Sequence, residues 1–336
     1  MRCDTVRKMF GLHRVVFSTI MVHMAAKEGK IPSQSDLNGF SLIIVKNSYV
    51  RFMRMREIQK MGIVVIGAVF VDIKGFPEDN YIPNGRNAGT VEYIHGGVSR
   101  NVVENIANLE LRPTFVSLVD DSALGVEVVQ KLRRHKVKLD YVRTVPGGMG
   151  TWLAVFDSTG DVAGSISKRP DLIPILQILE EHGDEIFSDA ESIVVEIDIN
   201  KEIIKKVFEL AEKYGKKVYA VVSNMSIALK RRDFIKRLDC FVCNQQEAGL
   251  LFEADYSDKA PEEMADLLAE QLPNAQFNAM VVTMGSKGSV YADETGRKGF
   301  CPAMKVQVKD TTGAGGCFLL GAGRRPDLWQ DPGGIL

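Results

Sequence analysis

From Met61 onward, short apolar runs alternate with amphipathic stretches of helical period. Ile63-Val64-Val65-Ile66-Gly67-Ala68 is continuous and β-branched up to its glycine, the pattern of a strand buried on both faces of a parallel sheet. Residues 114–119, 193–198, 217–222, 239–243 and 279–283 repeat that pattern. Helical patterns lie between them. Val98, Val102, Ile106 and Leu109 share one face after Gly96-Gly97, and 122–134 reads as a second helix. Lys201–Tyr214 points Ile203, Ile204, Val207, Phe208, Leu210 and Ala211 inward and stops at Gly215, while 261–272 begins with a proline in its first turn. The alternation predicts an α/β fold on a mainly parallel sheet. Two segments break the rhythm. Residues 75–89 are polar and rich in turn formers, and lead into 90–94, which alternates as a half-exposed strand. Residues 151–156 and 162–166 flank the turn Asp157-Ser158-Thr159-Gly160-Asp161 and read as a hairpin. Paired with 90–94, the hairpin predicts a small separate sheet built from two insertions, the natural form of a covering lid.

Residues 1–60 lack such patterning, and their charge differs too. They carry 11 Lys and Arg against 4 Asp and Glu, whereas the rest of the chain carries 31 against 39. That shift marks a boundary near residue 60. A basic, Met-rich stretch, Arg51-Phe52-Met53-Arg54-Met55-Arg56, suits a solvated extension better than a nucleic-acid or membrane patch. The apolar run at 15–22 is bracketed by Arg14 and His23 and has no cleavage site after it, so it does not read as a signal peptide. Met53, Met55 and Met61 allow a working protein that begins near residue 61. Net charge is −1 over 336 residues, which gives no general argument for nucleic acid or membrane as a partner. No apolar run is long enough to span a bilayer, and five scattered cysteines suit a reducing cytoplasm.

Several signatures fail. Gly285-Ser286-Lys287-Gly288 lacks Walker A spacing, and Gly67 is not followed by a dinucleotide-binding glycine pattern. Cys240 and Cys243 lie inside an apolar strand, so two buried thiols are expected there and not a redox pair. What remains is a series of polar residues at predicted strand ends: Asp72; Gly96 and Gly97 with Asn101; Glu196 or Asp198; Asn244 with Glu247; and 283–288. Singly, each is an ordinary cap or turn former. The last member is Asp310-Thr311-Thr312-Gly313-Ala314-Gly315-Gly316, a glycine-rich turn between a strand-like alternation and an apolar run. A helix start there would offer unpaired N–H groups to an anion.

Taken together, Gly96-Gly97-Val98-Ser99-Arg100-Asn101, Asn244-Gln245-Gln246-Glu247, Thr283-Met284-Gly285-Ser286-Lys287-Gly288 and the 310–316 turn resemble the signatures of the ribokinase-like (PfkB) family of carbohydrate and nucleoside kinases. The Gly-Gly-Val-Ser-Arg-Asn-Val-Val-Glu-Asn run is most similar to its pseudouridine-kinase-like branch. The resemblance implies a three-layer α/β sandwich with a mainly parallel sheet and a small β-sheet lid from about 75–95 and 148–166. It implies that Asp72, Gly96, Gly97 and Asn101 hold substrate hydroxyls, with Glu196 or Asp198 as an added acid. Asn244 and Glu247 would organise Mg²⁺ through its waters. Thr283, Gly285, Gly288, Asp310 and Thr312 would border ATP. The backbone N–H groups of Gly313, Ala314 and Gly315 would form an anion hole for the transferring phosphoryl group. A small-molecule sugar or nucleoside is the implied substrate, and a lid edge strand could pair two subunits.

Two features depart from the family pattern. The final position of the turn, where the resemblance implies an Asp acting as general base, is Gly316, which has no side chain to take a proton. Losing a positioned base costs about 10²–10⁴ in rate. After Gly323, residues 324–336 are dense in breakers, where the family continues with further elements. The expected organisation is therefore a basic extension (1–60), a kinase domain shortened at its C-terminal side (61–323) and an irregular tail (324–336). The expected activity is ATP-dependent phosphorylation of a sugar or nucleoside hydroxyl. The alternatives are a non-catalytic sugar- or nucleotide-binding protein of the same fold and an inactive, truncated product.

Overall fold

The computed structural model describes residues 62–303. The expected extension 1–60, the 310–316 turn and the tail lie outside the described residues. Nine strands form the main sheet: β1 (Ile63–Ile66), β4 (Thr114–Val119), β5 (Lys138–Thr144), β8 (Ser192–Glu196), β9 (Lys217–Val221), β10 (Cys240–Asn244), β11 (Ala279–Thr283), β12 (Ser289–Asp293) and β13 (Lys298–Cys301). Their order is β13-β12-β11-β10-β9-β8-β1-β4-β5. The strands from β5 to β11 are parallel, and β12 and β13 run antiparallel at one edge. The continuous apolar runs are explained by the layers: helices cover both sides of the sheet, so Val65, Ile66, Val195 and Val282 are fully enclosed.

The helices are α1 (Val98–Asn108), α2 (Ala123–Arg134), α3 (Ile173–Asp189), α4 (Lys201–Tyr214), the short α5 (Met225–Ala228) and α6 (Arg232–Ile235), α7 (Gln245–Phe252) and α8 (Pro261–Ala275). The stop after α4 is as expected: Gly215 takes the left-handed conformation, φ 61°. Leu109 departs from the expected helix face. It is the residue after α1, and with the helical turn ended its side chain is 54% exposed.

A second sheet of four strands has the order β3-β2-β6-β7, with β2 at Phe70–Pro77, β3 at Gly89–Gly96, β6 at Gly150–Phe156 and β7 at Val162–Lys168. The separate sheet and its hairpin were expected, but the pairing differs. The 90–94 segment does not pair with the hairpin directly. Strand β2 lies between, antiparallel to β3 and parallel to β6. This strand is hidden in the sequence because two of its three buried positions are polar: Asp72 and Lys74 are 7% and 4% exposed, beside buried Val71. Residues Ile73, Tyr93, Leu153 and Ile166 lie opposite one another across all four strands. They share the face away from Asp72, because successive side chains alternate. Tyr93 and Ile166 on that face are 60% and 70% exposed.

Candidate active site

In the main sheet the chain first adds β4 and β5 to one side of β1, then β8 to β11 to its other side. The reversal opens a crevice beyond the carboxyl ends of β1 and β8, the position where open α/β sheets bind ligands. Gly67 follows β1 and Glu196 ends β8. Ser99, in the first turn of α1, donates from Oγ to Glu196 Oε2 at 2.9 Å, and the Ala68 N–H approaches the same oxygen at 3.4 Å. A Cβ on residue 67 would overlap Ser99 Oγ and stand 2.8 Å from Glu196 Oε2, so only glycine allows this approach. Burial, and after it the charge of Asp198, push the Glu196 carboxyl up to about 7, against the opposing hydrogen bonds of Ser223 and Ser99.

On the lid side, Asp72 in β2 lies beside Gly96, where a Cβ would stand 2.5 Å from its carboxylate. Gly97 precedes α1 with φ 95°, and a Cβ there would meet Ala68 O at 2.7 Å. The Gly-Gly pair thus lets the lid strand, the crossing chain after β1 and the start of α1 converge. Asn101 lies in the first turn of that helix, its N–H bonded to Gly97 O at 2.9 Å. Its neighbour Arg100 is buried, with Nη1 on Glu104 Oε2 at 2.5 Å and Nη2 donating to Asn101 Oδ1.

Asp198 lies beyond β8 and is buried, as Glu196 is. Its carboxylate accepts from the Ser223 N–H at 2.9 Å and the Ser223 hydroxyl at 2.7 Å. Arg169, directly after β7, donates to its carbonyl at 2.9 Å and also to its carboxylate. The end of the lid is therefore tied to the floor of the crevice. The Asp198 carboxylate has three donors from its own chain, and Glu196 holds the hydroxyls of Ser99 and Ser223 and one distant N–H.

Asn244 ends β10 and caps α7. Its Oδ1 accepts from the Glu247 N–H at 2.8 Å, and Glu247 Oε2 accepts from the Asn244 N–H at 2.7 Å, a reciprocal capping box. Thr283 lies directly opposite Asn244 in the register of the parallel pair β10–β11. Gly285 and Gly288 bound a short 3₁₀ turn after it, with φ 58° and 102°. Burial raises Glu247, and Asp198 raises it further, so the two carboxylates are within electrostatic reach. The Glu247 carboxylate keeps a second hard oxygen beside the one in the capping box, a donor that suits a small divalent cation keeping its waters. Among the described residues no group of three His, Cys, Asp or Glu could grip a bare ion.

Of the expected residues, Asp72 lies within β2, Gly96 ends β3, Gly97 and Asn101 belong to the start of α1, Glu196 ends β8 with Asp198 beyond it, Asn244 and Glu247 join β10 to α7, and Thr283 ends β11 before Gly285 and Gly288. Asp310, Thr312, Gly313, Ala314, Gly315 and Gly316 lie outside the described residues. Sequence reasoning missed Ser99, Arg100, Arg169 and Ser223. Ser99 and Arg100 stood inside a quoted motif, and Ser223 directly follows an apolar strand run. Cys240 and Cys243 are both buried free thiols, as expected, and burial pushes Cys240 up to about 12. No helix among the described residues is long and apolar enough to cross a membrane.

Two sheets of this order, with a crevice at the switch point and a lid strand reaching it, define the ribokinase-like α/β fold. Comparison with known proteins gives the same class. Residues 60–321 match the description "pfkB family carbohydrate kinase", and the chain belongs to that family. It is 32% identical to the guanosine-inosine kinase of Exiguobacterium acetylicum, over 76% of this chain and 84% of that one. It is 26% identical to the pseudouridine kinase of Escherichia coli strain K12, over 80% and 83%. Among solved structures, ribokinase from Arabidopsis thaliana, complexed with ribose and ATP, superposes with a TM-score of 0.64 at 22% identity, covering 77% of this chain and 83% of that one.

Proposed function

We propose that this chain binds a nucleoside at the crevice between β1 and β8, beneath the lid, and is built to phosphorylate a sugar hydroxyl from ATP and Mg²⁺. The observation that carries this reading is the convergence of Asp72, Gly97 and Asn101 with the Glu196 end of β8 at the topological switch point. The relative named guanosine-inosine kinase, matched over most of both chains, supports a nucleoside as the acceptor. In this reading Asp72 and Asn101 hold sugar hydroxyls. Glu196 adds a buried carboxyl held by Ser99 and Ser223, while Asp198 anchors the lid through Arg169. Asn244 and Glu247 order the water shell of Mg²⁺. Thr283, Gly285 and Gly288 border ATP, together with Asp310 and Thr312, and Gly313 to Gly315 supply anion-hole N–H groups. Bound Mg²⁺ would offset phosphate charge during transfer.

Gly316 sets the rate. With no carboxylate at that position, proton removal from the attacking hydroxyl falls to water, and turnover is slow. The same residue favours a second reading, a non-catalytic nucleoside-binding protein of kinase descent. The two are separated by incubating the chain with MgATP and a panel of guanosine, inosine, pseudouridine, ribose and fructose. Binding with measurable phosphate transfer supports the kinase, binding without transfer supports the sensor, and binding of no member of the panel removes both. We further propose a cytoplasmic location and self-association through the lid. Its outer face carries Tyr93, Leu153 and Ile166, and its edge strand β7 is exposed throughout.

A further inference from the structure

A carboxamide presents an acceptor on one side and two donors on the other, and which side faces a ligand decides what the ligand must be. In this chain the choice at Asn101 is made by its neighbour. Arg100 is 5% exposed, and Nη2 donates to Asn101 Oδ1. A guanidinium has no acceptor, so it can meet only the carbonyl side of Asn101. Flipping the amide would set N–H against N–H in a partly buried site. Arg100 is itself held in place. Glu104 takes Nη1 at 2.5 Å, and Glu104 is in turn fixed by Lys131 Nζ at 2.9 Å from α2. The Arg100 Nε–H has no partner among the described residues; Glu104 and Asn101 take its Nη groups, and the charge of Asp72 acts on it as well.

We propose that Arg100 is a positioning residue that locks Asn101 as a hydrogen-bond donor, so that a substrate hydroxyl accepts from Asn101 and donates to the Asp72 carboxylate. This rests on the reading that Asp72 and Asn101 face the substrate. It sharpens that reading, because the group between them must both accept and donate. A hydroxyl does so; an ammonium has nothing to accept with, and a fluorine or ether has nothing to donate. At this position the pair therefore takes a neutral hydroxyl and rejects an ammonium.

The test uses the full chain and titration calorimetry with inosine. Asn101→Asp replaces the donor by an acceptor of the same shape and strengthens the pair with Arg100. It is expected to keep the wild-type Tm or raise it while weakening inosine binding by about 10- to 100-fold. Arg100→Met is expected to weaken binding by about tenfold, and Arg100→Lys, which also only donates, to restore most of the loss. A purely structural role for Arg100 would move Tm without parting stability from affinity in Asn101→Asp. Wild-type inosine affinity in Asn101→Asp overturns the proposal. If the unaltered chain binds no nucleoside or sugar, the substrate reading fails, and a ligand-free experiment then decides the lock. Thermal denaturation of Arg100→Met, Asn101→Leu and the double variant should show non-additive Tm shifts, and strict additivity overturns it.

Discussion

Ser99 Oγ donates to Glu196 Oε2 at 2.9 Å, joining the start of α1 to the end of β8 across 97 residues of sequence. The bond falls at the crevice and involves a carboxyl that burial and Asp198 push up to about 7. The folded chain keeps this proton up to about that pH, whereas the unfolded chain loses it near the ordinary carboxylate value of 4.5. Between the two values the folded state binds more protons, so this group's contribution to stability falls as pH rises and is fully lost above the folded value. Glu247, also raised, acts in the same direction, and His95, lowered by burial and by Arg100 and Lys131, acts in the opposite one. The difference between wild type and Glu196→Gln isolates the effect. Urea denaturation from pH 5 to pH 8 should show wild type losing stability relative to the variant. Parallel curves would mean that Glu196 is ionised throughout.

Gly67 leaves room for that bond. Gly67→Ala would drive a methyl into Ser99 and Glu196. Overpacking of this kind costs about 1–3 kcal/mol. The expected result is a lower urea midpoint with unchanged m-value, partly restored when Ser99→Gly is added, because Ser99 Oγ and Cβ are the nearest obstacles. No recovery in the double variant would place the strain elsewhere.

The Asn244–Glu247 box separates capping from cation binding. Glu247→Gln keeps an oxygen for the Asn244 N–H, so Tm should change little, while the Mg²⁺ dependence of ATP binding in calorimetry should weaken. Asn244→Ala removes the cap of α7 and should cost about 1 kcal/mol in urea denaturation. If Glu247→Gln leaves the Mg²⁺ dependence intact, the cation is organised by other residues.

Much of this fold was legible in the sequence because the main-sheet strands are enclosed on both faces. Val64, Val65 and Ile66 are buried in succession, and the apolar run reports that directly. Two strands without such a run were not legible. Strand β2 has polar buried positions, and β5, at the sheet edge, is nowhere fully buried. Helix α3 was hidden by Pro174 near its start and by apolar residues crowded at 175–179. The site was partly legible, since glycine pairs and the Asn244–Glu247 spacing are local. Arg169 and Ser223 were not, because their meaning depends on Asp198, which lies 29 and 25 residues away in sequence and is met only after folding.

The outer lid face gives a prediction on assembly. Ile166 is 70% exposed and Tyr93 60%. If these faces pair two copies, Tyr93→Lys and Ile166→Lys should each convert a sedimenting dimer to a monomer without lowering Tm. A wild-type chain that sediments as a monomer at its highest soluble concentration contradicts the pairing.

The most direct test of the central claim is transfer of labelled γ-phosphate from ATP to inosine and guanosine by the unaltered chain and by Gly316→Asp, with Mg²⁺ present. Supplying a carboxylate at the turn should raise kcat by at least about 100-fold with little change in nucleoside affinity. Equal rates for the two proteins, fast or absent, would contradict a nucleoside kinase site whose missing part is the base at residue 316.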